Sequence, residues 1–147
     1  MPARGTVEAD AALSNQYRLE ITGLPAIVFT RVGDISTELV TTTMADQTVQ
    51  TTGQVKASEF EVDHYLHHQA ERVAMEAWFL ACSSGATGHK LPAFLYLLGA
   101  DGLTIKATYM LDGVICKGRK LPELDGMGDG EGVRLTWTCS ADAVIPL

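Results

Sequence analysis

The amino-acid sequence predicts a mainly β domain, an antiparallel β-sandwich or barrel with one α-helix packed on it and a long extended arm. Three observations carry the prediction. Apolar and polar residues alternate with a period of two in several short runs. A single stretch, from about His68 to Cys82, has apolar residues at steps of three and four. Glycine and aspartate punctuate the intervals between runs, and no internal repeat occurs.

The opening, MPARGTVEADAALSNQ, is polar and lacks the apolar centre of a secretory signal, so residues 1–15 read as a flexible leader. The chain is therefore expected to stay in the cytoplasm where it is made. Residues 16–147 suffice for one domain with a sizeable core, and no apolar run approaches the length of a membrane span. In QYRLEITGL, Tyr17, Leu19 and Ile21 share one face and Arg18, Glu20 and Thr22 the other, which is a strand. After Pro25, AIVFTRV is apolar on both faces, as in a strand that is buried on both sides or meets a neighbouring subunit. Gly33 and Asp34 lead into ISTELV, a third strand.

The chain then turns polar. Its next residues are Thr41, Thr42, Thr43, Met44, Ala45, Asp46, Gln47, Thr48, Val49, Gln50, Thr51, Thr52, Gly53 and Gln54, with Met44 and Val49 the isolated apolar side chains. Thr and Val suit an extended ribbon, yet there is little apolar face to bury. The segment reads as an arm that finds its partners elsewhere, with a disordered loop as the alternative.

In SEFEVDHYL, Phe60, Val62, His64 and Leu66 alternate with Glu59, Glu61, Asp63 and Tyr65, a half-buried strand. The helix follows. Its stripe is Ala70, Val73, Ala74, Ala77, Leu80 and Ala81, with Glu71, Arg72 and Met75 off it, so Val73, Ala77 and Leu80 are expected to pack on the barrel and Trp78 to sit at the margin. SSGATGHK is a connector, AFLYLL a strand, and Leu103, Ile105, Ala107, Tyr109 and Leu111 alternate cleanly after a turn at Ala100-Asp101-Gly102. Asp112-Gly113 carries a hairpin signal into VICKG. LPELDGMGDGEG is a solvated loop, and VRLTWTCS puts Val133, Leu135, Trp137 and Cys139 on one face of a last long strand. The tail, ADAVIPL, is apolar enough to need cover.

Chemistry is scarce. Eleven basic against eighteen acidic residues give a net charge of −7, which argues against a protein that grips nucleic acid by neutralising phosphates but suits a wall that DNA must not stick to. Cys82, Cys116 and Cys139 are too few and scattered for a disulfide scaffold; they read as buried free thiols or, being odd in number, as thiols that could pair between subunits. His64, His67, His68 and Glu71 fall within eight residues and invite a metal site, but they straddle a strand-to-helix junction and lack the HExxH pattern. A structural role is expected, with no metal or cofactor. Glu123, Asp125, Asp129 and Glu131 fail a calcium-loop register, with Met127 and Thr136 at ligand positions. Serine-hydrolase, zinc-deaminase and dinucleotide motifs are absent, so no enzyme is expected.

The order of elements resembles the tail tube proteins of long-tailed bacteriophages, related in fold to the tubes of contractile injection systems and type VI secretion. The resemblance rests on YRLEITGLPAIVF, on RVGDISTELVTTTMADQ before TGQVKASEFEV, on the helix reaching Trp78 in AERVAMEAWF, and on the terminal VRLTWTCSADAVIP. In TTGQVK it departs from relatives that carry Pro-Gly and a more basic stretch. The resemblance implies a long extended hairpin arm at Thr41–Gln54 that joins stacked rings, sixfold rings forming a hollow cylinder, and DNA passing through without specific binding. It also implies partners of the tail, namely baseplate, tail-terminator and tape-measure proteins and in some tails a sheath, and a place in the virion tail after assembly in the host cytoplasm. Within such a tube, Glu59, Glu61 and Asp63, with Glu38 by the same parity, are the candidate lumen-facing carboxylates. Two other readings stand beside it: a small-ligand-binding barrel or enzyme using the histidine cluster, and a tube that secretes protein.

Overall fold

A computed structural model describes residues 12, 13, 15–124, 126–128, 130 and 132–147. Most of the expected leader, and Asp125, Asp129 and Glu131 of the glycine-rich loop, lie outside the described residues. The elements are β1 (Tyr17–Ile21), β2 (Arg31–Val32), β3 (Leu39–Thr43), β4 (Val49–Val55), β5 (Ser58–Tyr65), α1 (Gln69–Ser84), β6 (Leu91–Leu98), β7 (Ile105–Lys120), β8 (Arg134–Ala141) and β9 (Ala143–Pro146). The described residues are mainly β, with antiparallel strands and one helix.

Among the described residues, seven strands form one sheet in the order β1-β6-β7-β8-β5-β2, with β9 also on β7, while β3 and β4 pair only with each other. The sheet bends at β7. The first part of this strand pairs with β6 and β9, and Ile115–Lys120 pairs with β8. The hairpin expected at Asp112-Gly113 is therefore absent: β7 runs straight through it for 16 residues. Gly113 does take a left-handed φ of 64°, but it redirects the strand from one wing of the sheet to the other instead of reversing it. A Cβ there would also collide with the Asp142 carboxylate at the matching corner between β8 and β9.

The two wings face each other across one core. Leu19, Ile21, Ala93 and Leu111 from the front wing meet Phe60, Val62, Leu135, Trp137 and Cys139 from the back wing. These are the alternating positions of β1, β5 and β8, since period-two side chains on a pleated strand all reach the same layer. The segment AIVFTRV is not a doubly buried strand. Phe29 is in the core but Val28 is exposed, and only Arg31 and Val32 pair with β5. ISTELV likewise becomes a strand only from Leu39, where it already belongs to the β3–β4 hairpin.

Helix α1 begins after His68 and is capped by Gly85, whose left-handed conformation lets its own amide donate to the Cys82 carbonyl and the Ala86 amide to the Ala81 carbonyl. Its inward face differs from the expected one. Met75, Trp78, Phe79 and Cys82, spaced i, i+3, i+4, i+7, pack on the core, and Trp78 Nε1 donates to the His89 carbonyl at 2.8 Å. Trp78 is thus buried, not marginal, while Val73 and Leu80 are 57% and 68% exposed and Ala77 is exposed with them. The helix carries two apolar stripes, and the larger, more polarisable side chains fill the core because they bury more area. No described helix is long and apolar enough to cross a membrane.

Candidate assembly surface

The β3–β4 hairpin is built locally and left bare. Met44 N donates to Thr48 O at 2.8 Å and Gln47 N to Met44 O at 2.9 Å, closing the tip, where Gln47 takes φ 67°. Asp46 accepts from the Thr48 amide and hydroxyl, which holds its carboxyl below the usual range. In register, Leu39 lies opposite Val55, Thr41 opposite Thr51 and Thr43 opposite Val49, with a bulge next to Gly53. These six residues share one face, so the arm has more apolar surface than Met44 and Val49 alone suggest. Leu39, Val49 and Val55 are 55%, 65% and 45% exposed. A two-stranded hairpin is marginal in water on its own. This one packs on its own strands and meets the rest of the chain chiefly at its base.

The outward face of the back wing is polar but not acidic. Glu59, Glu61 and Asp63 on β5 register with Ser140, Thr138 and Thr136 on β8. Each carboxylate has a cation. Arg31 Nε donates to Asp63 Oδ2 at 2.9 Å and its Nη2 to Asp63 Oδ1 at 3.2 Å and Glu61 Oε2 at 2.9 Å, Lys117 pairs with Glu59, and Lys120 registers with Thr136 on the same face. Asp63 is also buried, not water-facing, and Glu38 pairs with Lys56 at 3.5 Å. Three carboxylates thus meet two cations, Arg31 being shared by Glu61 and Asp63, and the expectation that all three carboxylates meet water is corrected at Asp63. The missed residues, Arg31, Lys117 and Lys120, sit in stretches read for their apolar neighbours; parity with β5 and β8 becomes visible only once the strands pair.

The histidine cluster divides. His64 is fully buried, its Nε2 accepting from Trp137 Nε1 at 2.8 Å and its Nδ1 donating to the Tyr65 carbonyl at 3.2 Å. That pairing fixes the neutral ring, and burial lowers its pKa. His67 and His68 stack edge to face at 4.5 Å outside the core, with His68 Nδ1 3.4 Å from Glu71. Among the described residues no group of three His, Cys, Asp or Glu is placed to hold a metal.

The cysteines converge instead of reaching outward. Cys116 and Cys139 are cross-strand neighbours with almost no exposure, and the Cys116 amide donates to Cys82 Sγ at 3.4 Å. All three are free thiols. The Cys116 contact and burial raise the Cys139 pKa, and burial raises that of Cys82. Thiols buried at a helix–sheet seam cannot bridge subunits without unfolding, so that expectation fails for Cys116 and Cys139. An open groove of about 400 Å³ between the wings is lined by Tyr17, Val32, Ile35, Leu95, Tyr109 and Leu111; the Tyr17 hydroxyl is tied to the Phe29 carbonyl.

No protein-family model and no curated protein matches the chain. Solved structures do. The tube-terminating cap of the anti-feeding prophage has a TM-score of 0.74 at 16% identity, covering 97% of this chain and 93% of its own. A chain of the sheath–tube complex of the extracellular contractile injection system PVC, in its extended state, scores 0.70 at 15% identity, with 93% and 91% covered. The SPP1 tail tube scores 0.63 at 11% identity, with 92% and 78% covered. At such identities the likeness is one of fold: the chain has the fold that these cap and tube proteins share.

Proposed function

We propose that this chain is the structural subunit of a bacteriophage tail tube, with no catalytic role. Six copies form a ring, rings stack head to tail, and the hollow tube conducts DNA during ejection. The observation that carries the reading is the bare β3–β4 hairpin, Leu39–Val55, whose apolar face is left exposed by the described residues of the chain. An arm of this kind is stable where a neighbouring copy covers it, and contact between unlike patches propagates as a filament. Tape-measure, baseplate, terminator and sheath proteins are the further partners of such a tube, in the virion tail. The polar outward face of the back wing, with Glu59 and Glu61, is our candidate for the lumen, since its carboxylates would keep phosphates from adhering to the wall.

Electron microscopy of concentrated protein tests the proposal. Rings about sixfold, or open-ended tubes, are expected; a monodisperse small particle at every concentration overturns it. The balance of charge on the back wing also favours a second reading, a tube that passes protein, because a DNA channel gains from net negative charge. Nucleic acid inside particles purified from the producing cell decides between the two.

A further inference from the structure

The subunit has a second bare apolar surface besides the hairpin: the outer stripe of α1, where Ala70, Val73, Ala77 and Leu80 follow one another at helical spacing. We infer that this stripe is the seat on which the β3–β4 hairpin of a neighbouring copy lies. The inference rests on the tube reading above and names the surface that the arm meets.

The two surfaces match in size. Ala70 to Leu80 spans about 15 Å of helix at ~1.5 Å per residue, and the hairpin face from Leu39 to Thr43 spans about 13 Å at ~3.3 Å per residue. They match in relief, since Ala70 and Ala77 leave shallow gaps beside Val73 and Leu80 into which valine and threonine side chains fit. They match in charge as well. Neither the stripe nor the hairpin face, Leu39, Thr41, Thr43, Val49, Thr51 and Val55, contains an ionisable residue; Asp46 stands at the tip, and Glu76 beside the stripe is held by Arg119. Docking therefore strips water from no unpaired charge.

The competing surface is less suitable. On the outer face of the front wing, Phe94, Tyr96, Met110 and Ile145 are also partly bare, but Arg18 lies 4.7 Å over the Tyr96 ring and pairs with Glu20, so covering that face desolvates an ion pair. Because seat and arm are different patches of one chain, each copy can offer its hairpin to one neighbour and its helix to another. The contact is heterologous and does not stop at a dimer.

Cross-linking tests this with full-length protein. Val49→Cys and Leu80→Cys chains are made separately, mixed under conditions in which wild type forms tubes, and treated with a short bismaleimide. A two-chain product specific to the mixture, above the wild-type background from native thiols, is expected. Tubes without that product overturn the seat and leave the tube reading standing; wild type that forms no oligomer overturns both. Leu80→Asp provides an independent measure. It should keep the wild-type melting temperature, because the side chain is exposed, and lose at least tenfold in tube yield, whereas Leu103→Asp, at an 83% exposed loop position, assembles normally. Wild-type tube yield from Leu80→Asp overturns the inference, and this variant decides the matter should a cysteine variant not assemble.

Discussion

Replacing His64 with alanine removes the acceptor of the Trp137 indole N–H. The imidazole is fully buried, and its Nε2 takes the Trp137 indole proton at 2.8 Å. Leaving that buried N–H unpaired costs about 1–3 kcal/mol, and truncating a large buried side chain costs about 2–5 kcal/mol through lost contacts and a cavity. The two overlap, so the sum is on the order of 4 kcal/mol, and at roughly 2–4 °C per kcal/mol the melting temperature falls by about 10 °C. The fluorescence of the two tryptophans reports unfolding directly. A pH dependence separates the hydrogen bond from simple packing. Burial holds the folded His64 pKa below the ordinary histidine value of 6.5. As pH drops below 6.5 the unfolded chain takes up a proton that the folded chain refuses, so wild type loses stability between 6.5 and the folded pKa. The alanine variant has no such group, and the gap between the two proteins should narrow near ~pH 5.5 relative to ~pH 7.5. A variant that melts within about 2 °C of wild type, or a gap that widens in acid, refutes the reasoning.

Met75→Ala should cost about 2–5 kcal/mol in urea unfolding because Met75 has no exposure, while Val73→Ala on the opposite stripe should cost under ~1 kcal/mol; equal losses would reverse the assignment of the helix faces. Gly113→Ala, forced into a left-handed conformation and against Asp142, should lose roughly 1–3 kcal/mol, read as a lower denaturation midpoint. Deleting residues 41–54 should leave a cooperatively folding monomer that yields no tubes, checked by calorimetry and microscopy, because the hairpin contributes little to the core. Asp101 caps its turn by accepting from Leu103 N, Thr104 N and the Thr104 hydroxyl, which lowers its pKa to about 2. Its share of stability is present above the ordinary aspartate value of 3.8 and is lost as pH falls from there toward 2, so Asp101→Asn should flatten the acid limb of the stability curve.

The sequence by itself determined where regular structure lies when one side of an element meets water. β1, β5 and β8 alternate because Arg18, Glu59 and Thr138 oppose Leu19, Phe60 and Trp137, and a pleated strand sends neighbours to opposite faces. The described helix was legible from about His68 to Cys82 for the same local reason, and the structure carries it on to Ser84 with Gly85 as its cap. The tertiary structure alone decided which of two apolar helix stripes enters the core. Val73, Ala77 and Leu80 form the more regular pattern, but Met75, Trp78 and Phe79 fill the space that Trp137 and Cys116 leave, and periodicity carries no information about the volume of a partner. It also decided that Gly113 bends a strand between wings, since a left-handed glycine serves a turn or a corner equally well until the neighbour, here Asp142, is in place. Charge followed the same rule. Glu59, Glu61 and Asp63 look exposed and acidic in the chain, and only strand pairing brings Arg31 and Lys117 beside them, because Coulomb energy depends on distances that folding sets.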